Sequence, residues 1–225
     1  MRISDQMLKC VGFVSRHTEP LTYGGTAFVV GVGTPDDRRF GCLHLVTARH
    51  VAKAIGPDFV IAMNGKDGMP LFVKGREVDW FYHPTEAESV DVAVMPFAST
   101  RINEYDLQHI PIDMFVTDER IAAYEIGLGD EIVNIGLFTP FIGRSRLIPI
   151  VRTGNIAMMP VDKIPIKQFG DIDAYLAEGR SIGGLSGSPL VNMGVSIIIP
   201  AKKILEVLFS PELVAVREEA FKRQA

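Results

Sequence analysis

Short β-branched and aromatic segments, each closed off by turn-forming residues, fill the first part of this chain and leave little room for any fold but an all-β one. Six candidate strands cover residues 7–15, 26–32, 40–47, 58–63, 71–80 and 90–97. Between them stand clusters such as Gly33-Thr34-Pro35-Asp36-Asp37 and Asn64-Gly65-Lys66-Asp67-Gly68, whose glycines, proline and aspartates favour tight reversals. Strands this short must pack against one another to bury an apolar face, which predicts a sandwich or a barrel. Residues 48–55 have helical spacing and place His50 where a strand ends and the chain reverses.

Residues 98–119 are mixed in character and read as a connection. A second set of candidate strands follows at 121–126, 131–137, 147–158, 173–180, 188–192 and 195–199, with helical spacing at 200–208 and 211–224. The expected organisation is one domain over residues 1–225: a first barrel (1–97), the connection (98–119), a second barrel (120–199) and a C-terminal helical segment (200–225). A chain of 225 residues is long enough for such a pair of adjoining cores.

The chemistry-bearing stretch is Gly184-Leu185-Ser186-Gly187-Ser188-Pro189, a serine among small residues at the mouth of a candidate strand. A serine hydroxyl is a weak nucleophile and needs a neighbouring base to take its proton. His50 is the candidate base, within Leu45-Val46-Thr47-Ala48-Arg49-His50-Val51. Asp91, within Val90-Asp91-Val92-Ala93-Val94, is the candidate that would orient the imidazole. With little side-chain bulk around Gly184, the backbone N–H groups of Gly184 and Ser186 are the expected oxyanion donors. Each feature also has a plainer meaning: a hydrogen-bonded structural histidine, a strand-edge aspartate, a tight turn. The three together, in the order His…Asp…Ser, favour the catalytic reading.

These motifs resemble those of trypsin-like serine peptidases of the chymotrypsin clan, and are most similar to bacterial peptidase domains of the HtrA type. Gly24-Gly25-Thr26-Ala27-Phe28 resembles the family's Gly-rich opening to a strand, and Gly129-Asp130-Glu131-Ile132-Val133-Asn134-Ile135-Gly136 its Gly-Asp…Ile-Gly strand. Thr153-Gly154-Asn155-Ile156 and Gly194-Val195-Ser196-Ile197-Ile198-Ile199-Pro200 match two further family strands. The resemblance implies two six-stranded antiparallel β-barrels with a C-terminal helix, the active site in the cleft between them, and hydrolysis of peptide bonds in a protein or peptide substrate. It also implies a specificity pocket near Arg180, Ser181, Ile182 and Gly183. Arg180 at the base of that pocket would favour an acidic residue; an Arg turned to solvent or paired structurally is the alternative.

The sequence departs from the family at three places. Leu185 stands where digestive relatives carry an acidic residue that receives a newly cut N-terminus, so activation by that route is not expected. After residue 208 about one helical segment remains, too little for a PDZ domain. Val191-Asn192-Met193-Gly194 runs almost directly into the last strand, where the family has a hairpin and a further strand. The second barrel is therefore expected to lack, or to leave unordered, one strand, and either the chain is broken between residues 191 and 194 or a second copy or another partner covers the open edge. This leaves two functions open: a serine peptidase, and a latent or inactive protease-like binding module that needs a partner to complete its pocket.

Other classes fit less well. The formal net charge of -4 and the scattered Lys and Arg argue against a nucleic-acid footprint, and Lys202-Lys203 reads as a solvated helix face. Gly127-Leu128-Gly129 lacks the third glycine of a dinucleotide loop, and Ser188 stands where the Gly-x-Ser-x-Gly of esterases demands glycine. His17, His44, His83 and His109 have no paired metal spacing, so neither a metal nor another cofactor is expected; His44 reads as a strand residue and His83, before Pro84, as part of a surface turn. Cys10 and Cys42 lie in separate apolar segments and are expected to be buried free thiols. Trypsin relatives that are secreted carry a cysteine just after the catalytic histidine, where this chain has Val51. With no signal-peptide pattern at the N-terminus and no run of about 18 apolar residues, no membrane span and a cytoplasmic location are expected.

Overall fold

The structure, a computed structural model, describes residues 3–33, 41–75, 80–167, 170–179 and 195–222. The chain opens with a single helical turn, α1 (Asp5–Leu8), whose first turn is capped by the Ser4 hydroxyl accepting from the Gln6 N–H at 3.3 Å. Strand pairing begins after it, at β1 (Val11–Arg16), later than the strand expected from residue 7.

Five strands join β1 in one sheet: β2 (Thr22–Gly33), β3 (Gly41–Thr47), β4 (Phe59–Asn64), β5 (Pro70–Gly75) and β6 (Ala93–Phe97). Helix α2 (Arg49–Ile55) lies between β3 and β4. The strand order is β5-β4-β1-β2-β3-β6, with all neighbours antiparallel. Soon after β5, Phe81 exchanges both backbone hydrogen bonds with Val94 of β6, at 2.7 and 2.9 Å. The chain leaving one edge of the sheet thus returns to the opposite edge, as a barrel requires.

Period-2 alternation divides the apolar residues of β2, β3 and β6 between two cores. Val29, Leu45 and Met95 face inward with Phe59 and Ile61. Val30, Val46 and Val94 face outward, into a second cluster with Val207, Leu208 and Leu213 of the C-terminal helices. These strands therefore read as continuous hydrophobic runs because both their faces are buried.

The connection carries two single 3₁₀ turns, Ile102–Glu104 and Ile112–Met114, and a short β7 (Ile110–Pro111) that pairs in parallel with β2. Residues 121–126, expected as a strand, are not one. They fall in and just after α3 (Asp118–Ala123), where Asp118 and Glu119 complement the helix N-terminus and two alanines favour its last turn. Glu125, at φ 52°, ends the helix, with Glu125 N–H donating to Ala122 and Ile126 N–H to Ile121. This is the reversed pairing of a Schellman cap, achieved without glycine.

The second sheet contains β8 (Glu131–Gly136), β9 (Ile150–Met158), β12 (Tyr175–Glu178) and β13 (Val195–Ile198) in the order β13-β12-β9-β8. A separate hairpin, β10 (Ile164–Ile166) with β11 (Gly170–Ile172), was not expected from the sequence. Among the described residues the second half is thus a four-stranded sheet plus this hairpin, and the expected strand at 188–192 lies outside them. A Cβ on Gly154 of β9 would strike the Glu178 carbonyl oxygen, so the approach of β12 requires glycine there. Helices α4 (Ala201–Leu208) and α5 (Pro211–Lys222) then pack against the outer face of the first sheet.

A hydrogen-bond relay through Thr26 crosses between the halves. The Thr47 hydroxyl donates to the Thr26 carbonyl at 2.7 Å, and the Thr26 hydroxyl accepts from the Leu137 N–H at 2.9 Å. The strand that delivers His50 is so tied to the end of β8.

Candidate active site

His50 is the second residue of α2, on a helix that starts directly where β3 leaves the core. Val51, Ala52 and Ile55 bury one face of this helix and turn His50 outward, leaving its side chain 37% exposed. Asp91 precedes β6, between buried Val90 and Val92, and its side chain is only 12% exposed. The two residues meet twice: Asp91 Oδ2 lies 2.6 Å from His50 Nδ1, and Asp91 Oδ1 accepts the His50 backbone N–H at 2.9 Å. A carboxylate only accepts, so this contact puts the imidazole proton on Nδ1 and leaves the lone pair on Nε2.

The segment before Asp91 is held from two sides. Arg49, 5% exposed although adjacent to His50, donates through Nη2 to the Glu88 carbonyl at 2.8 Å and pairs through Nη1 with Glu88 Oε2 at 2.7 Å. Hydrogen bonding to Arg49, with its charge and that of Lys53, holds the Glu88 carboxyl below its usual range.

On the other side, Lys203 of α4 hydrogen-bonds Glu86 Oε2 and lies 3.3 Å from Glu206 Oε2. Glu206 Oε2 also hydrogen-bonds His83 Nε2. His83 is 3% exposed, which corrects its reading as a surface-turn residue, and Lys203 is buried rather than solvated. The hydrogen bond from Lys203 is the main reason the Glu86 carboxyl sits below its ordinary range. Burial by itself lowers the Lys203 ammonium, but hydrogen bonds and charge from Glu86 and Glu206 outweigh it and raise the group above its usual value.

His83, Glu86 and Glu206 bring three ligand-type atoms within 4.8 Å of one another, the one such group among the described residues. Two features make it a poor metal site. The Lys203 ammonium already supplies the cation, and His83 Nδ1 accepts the Glu86 N–H at 3.0 Å, which puts the ring proton on Nε2, the nitrogen that would have to ligate.

The remaining expected site residues, Arg180, Ser181, Ile182, Gly183, Gly184 and Ser186, lie outside the described residues, as does the junction at 191–194. The structure therefore brings His50 and Asp91 together and describes the scaffold on either side of the serine segment: β12, which leads into it, and β13, which follows it. Sequence reading missed Arg49, His83 and Lys203. The only local signal was an arginine in the apolar turn of α2, where a buried guanidinium needs an anionic or carbonyl partner.

Neither a protein-family model nor a curated protein sequence matches the chain. Solved structures do. The MamO protease domain from Magnetospirillum magneticum aligns with a TM-score of 0.63 at 14% identity, over 92% of this chain and 100% of that one. Deg5 aligns at 0.56 and 15% identity, over 89% and 87%. The HtrA-type protease AlgW, solved with a decapeptide, aligns at 0.54 and 15% identity, over 89% of this chain and 63% of that one. The fold is accordingly the chymotrypsin-like fold of these protease domains, as the motifs implied.

Proposed function

We propose that the chain is a single peptidase domain over residues 1–225, a serine endopeptidase that cleaves peptide bonds through an acyl-enzyme on Ser186. The observation that carries this reading is the His50–Asp91 pair, a part-buried carboxylate on Nδ1 of a partly exposed imidazole at the end of a barrel strand.

In this reading Ser186 Oγ attacks the scissile carbonyl while His50 Nε2 takes the hydroxyl proton. Asp91 keeps the imidazole in the required tautomer and stabilises the imidazolium that forms. The N–H groups of Gly184 and Ser186 donate to the oxyanion, each worth about two to three powers of ten in rate. His50 then returns the proton to the leaving amine, and water repeats the sequence to release the acid. Arg180, Ser181, Ile182 and Gly183 are assigned to the specificity pocket by the resemblance to trypsin-like peptidases. The polypeptide is the substrate, and the step uses no cofactor.

A second reading is a protease-like binding module completed by a partner. It draws on the second sheet, which among the described residues ends in β8 and β13 without a further strand beyond either. A fluorophosphonate probe separates the two, because it reports an activated serine without needing the right peptide. Labelling mapped by mass spectrometry to Ser186, and abolished in Ser186→Ala, is the expected result. Label on Ser188, or no label on a folded sample, would overturn the peptidase reading.

A further inference from the structure

The Asp91 segment is gripped by a helix that follows, in chain order, the second sheet. Helix α4 begins directly after β13, and β13 pairs with β12, the strand that leads into the serine segment. From α4, Lys203 and Glu206 reach across to Glu86 and His83. Lys163, just before β10, adds a looser contact to Glu86 at 3.8 Å.

These contacts bear directly on Asp91. The Glu86 carbonyl accepts the N–H groups of Ser89 (3.1 Å) and Val90 (2.9 Å), so the turn that ends at Asp91 closes on the residue whose carboxylate Lys203 holds. Val90 and Val92, on either side of Asp91, pack in one core cluster with Val207 and Leu208 of α4. From the His50 side, Arg49 fixes the same turn through the Glu88 carbonyl. A turn pinned at His83, Glu86 and Glu88 leaves Asp91 little freedom to move off the imidazole.

We propose that His83, Glu86, Lys203 and Glu206 form a clasp of positioning residues that sets the Asp91 carboxylate against His50 and couples that pair to the part of the chain following the nucleophile. The clasp rests on the peptidase reading for its catalytic meaning, but its mechanical claim concerns the His50–Asp91 contact alone. An offset of about 1 Å at a reacting group can cost on the order of 10²-fold in rate, so such a buttress has a measurable effect.

The test is proton NMR of the full chain, following the strongly deshielded proton shared by His50 Nδ1 and Asp91, which is assigned by its loss in Asp91→Ala. Lys203→Met removes the cation at the centre of the clasp. Glu86→Ala, at a partly exposed position, is the milder second variant and is expected to fold. Lys202→Met is the control: it removes a neighbouring charge on α4 and breaks the 2.9 Å pair with Asp118, away from the Asp91 turn.

The expected result is a sharp deshielded proton in the parent and in Lys202→Met, and its loss or exchange broadening in Lys203→Met and Glu86→Ala while the methyl region keeps its native dispersion. An unchanged proton in either folded clasp variant would overturn the proposal, as would equal broadening in Lys202→Met. If the proton responds to the clasp but Ser186 takes no fluorophosphonate label, the positioning claim stands and the peptidase reading falls. If the parent shows no such proton, the positioning claim falls, and the fluorophosphonate label alone decides the peptidase reading.

Discussion

Asp91 uses both carboxylate oxygens on His50, one for the ring and one for the backbone: Oδ2 meets Nδ1 at 2.6 Å and Oδ1 accepts the main-chain N–H at 2.9 Å. The backbone bond fixes where the carboxylate sits, and the ring bond decides which nitrogen keeps the proton. An amide can replace only one of these functions. In Asp91→Asn the carbonyl oxygen can still accept the backbone N–H, but the amide nitrogen then presents a donor to Nδ1 and selects the wrong tautomer. The expected outcome is a normally folded protein with kcat lowered by about 10⁴. Activity on a peptide substrate, with a thermal melt alongside, checks both halves; a melt that collapses with the activity would mean that Asp91 is structural.

Thr26 links the halves through a buried hydroxyl that accepts the Leu137 N–H, and Leu137 is fully buried. Thr26→Val keeps the shape and removes the acceptor, leaving that N–H unpaired out of reach of water. The expected loss is about 1–3 kcal/mol of stability. Thr26→Ser, which keeps the hydroxyl, should recover most of it. Urea denaturation of the three proteins decides, and equal midpoints for Val and Thr would show that the relay carries nothing.

Much of the fold was legible because β2, β3 and β6 each contain an apolar run, and His50 and Asp91 were legible because each stands next to one end of such a run. Residues 121–126 were misread as a strand because Ile121, Tyr124 and Ile126 are strand-type residues, while the helix beneath them is set by Asp118, Glu119 and the cap at Glu125. The clasp was hidden for another reason. His83 and Glu206 are separated by 123 positions, so no local pattern joins them, and His83-Pro84 on its own reads as a turn. Burial also changed the meaning of Lys203, which follows Lys202 in sequence yet points into the protein.

Cys10 and Cys42 are both free thiols, the first buried and the second half-buried. Burial pushes both thiols above their ordinary pKa, with the Arg217 charge opposing the effect only at Cys42. Because the thiolate is the reactive form, both should react slowly in the native protein at pH 8. Denaturation without reductant should release two reactive thiols per chain. No reactive thiol under those conditions would mean a disulfide and would contradict the structure.

His44 lies on β3 facing the C-terminal helices, with no exposed surface. Burial, reinforced by the Arg217 guanidinium of α5 and opposed by the Cys42 backbone, lowers its pKa from 6.5 to about 4. The unfolded chain therefore binds a proton at higher pH than the folded one. Stability supported by the neutral ring is complete above about pH 6.5, declines as the pH falls toward 4, and is level below that. The slope approaches about 1.4 kcal/mol per pH unit, for a total on the order of 3 kcal/mol. His44→Leu fills the same apolar site without a titrating group. Urea midpoints at pH 7 and pH 4.5 should therefore differ less in the variant than in the parent. Equal differences in the two proteins would show that the acid sensitivity arises elsewhere and that His44 is not the buried group responsible.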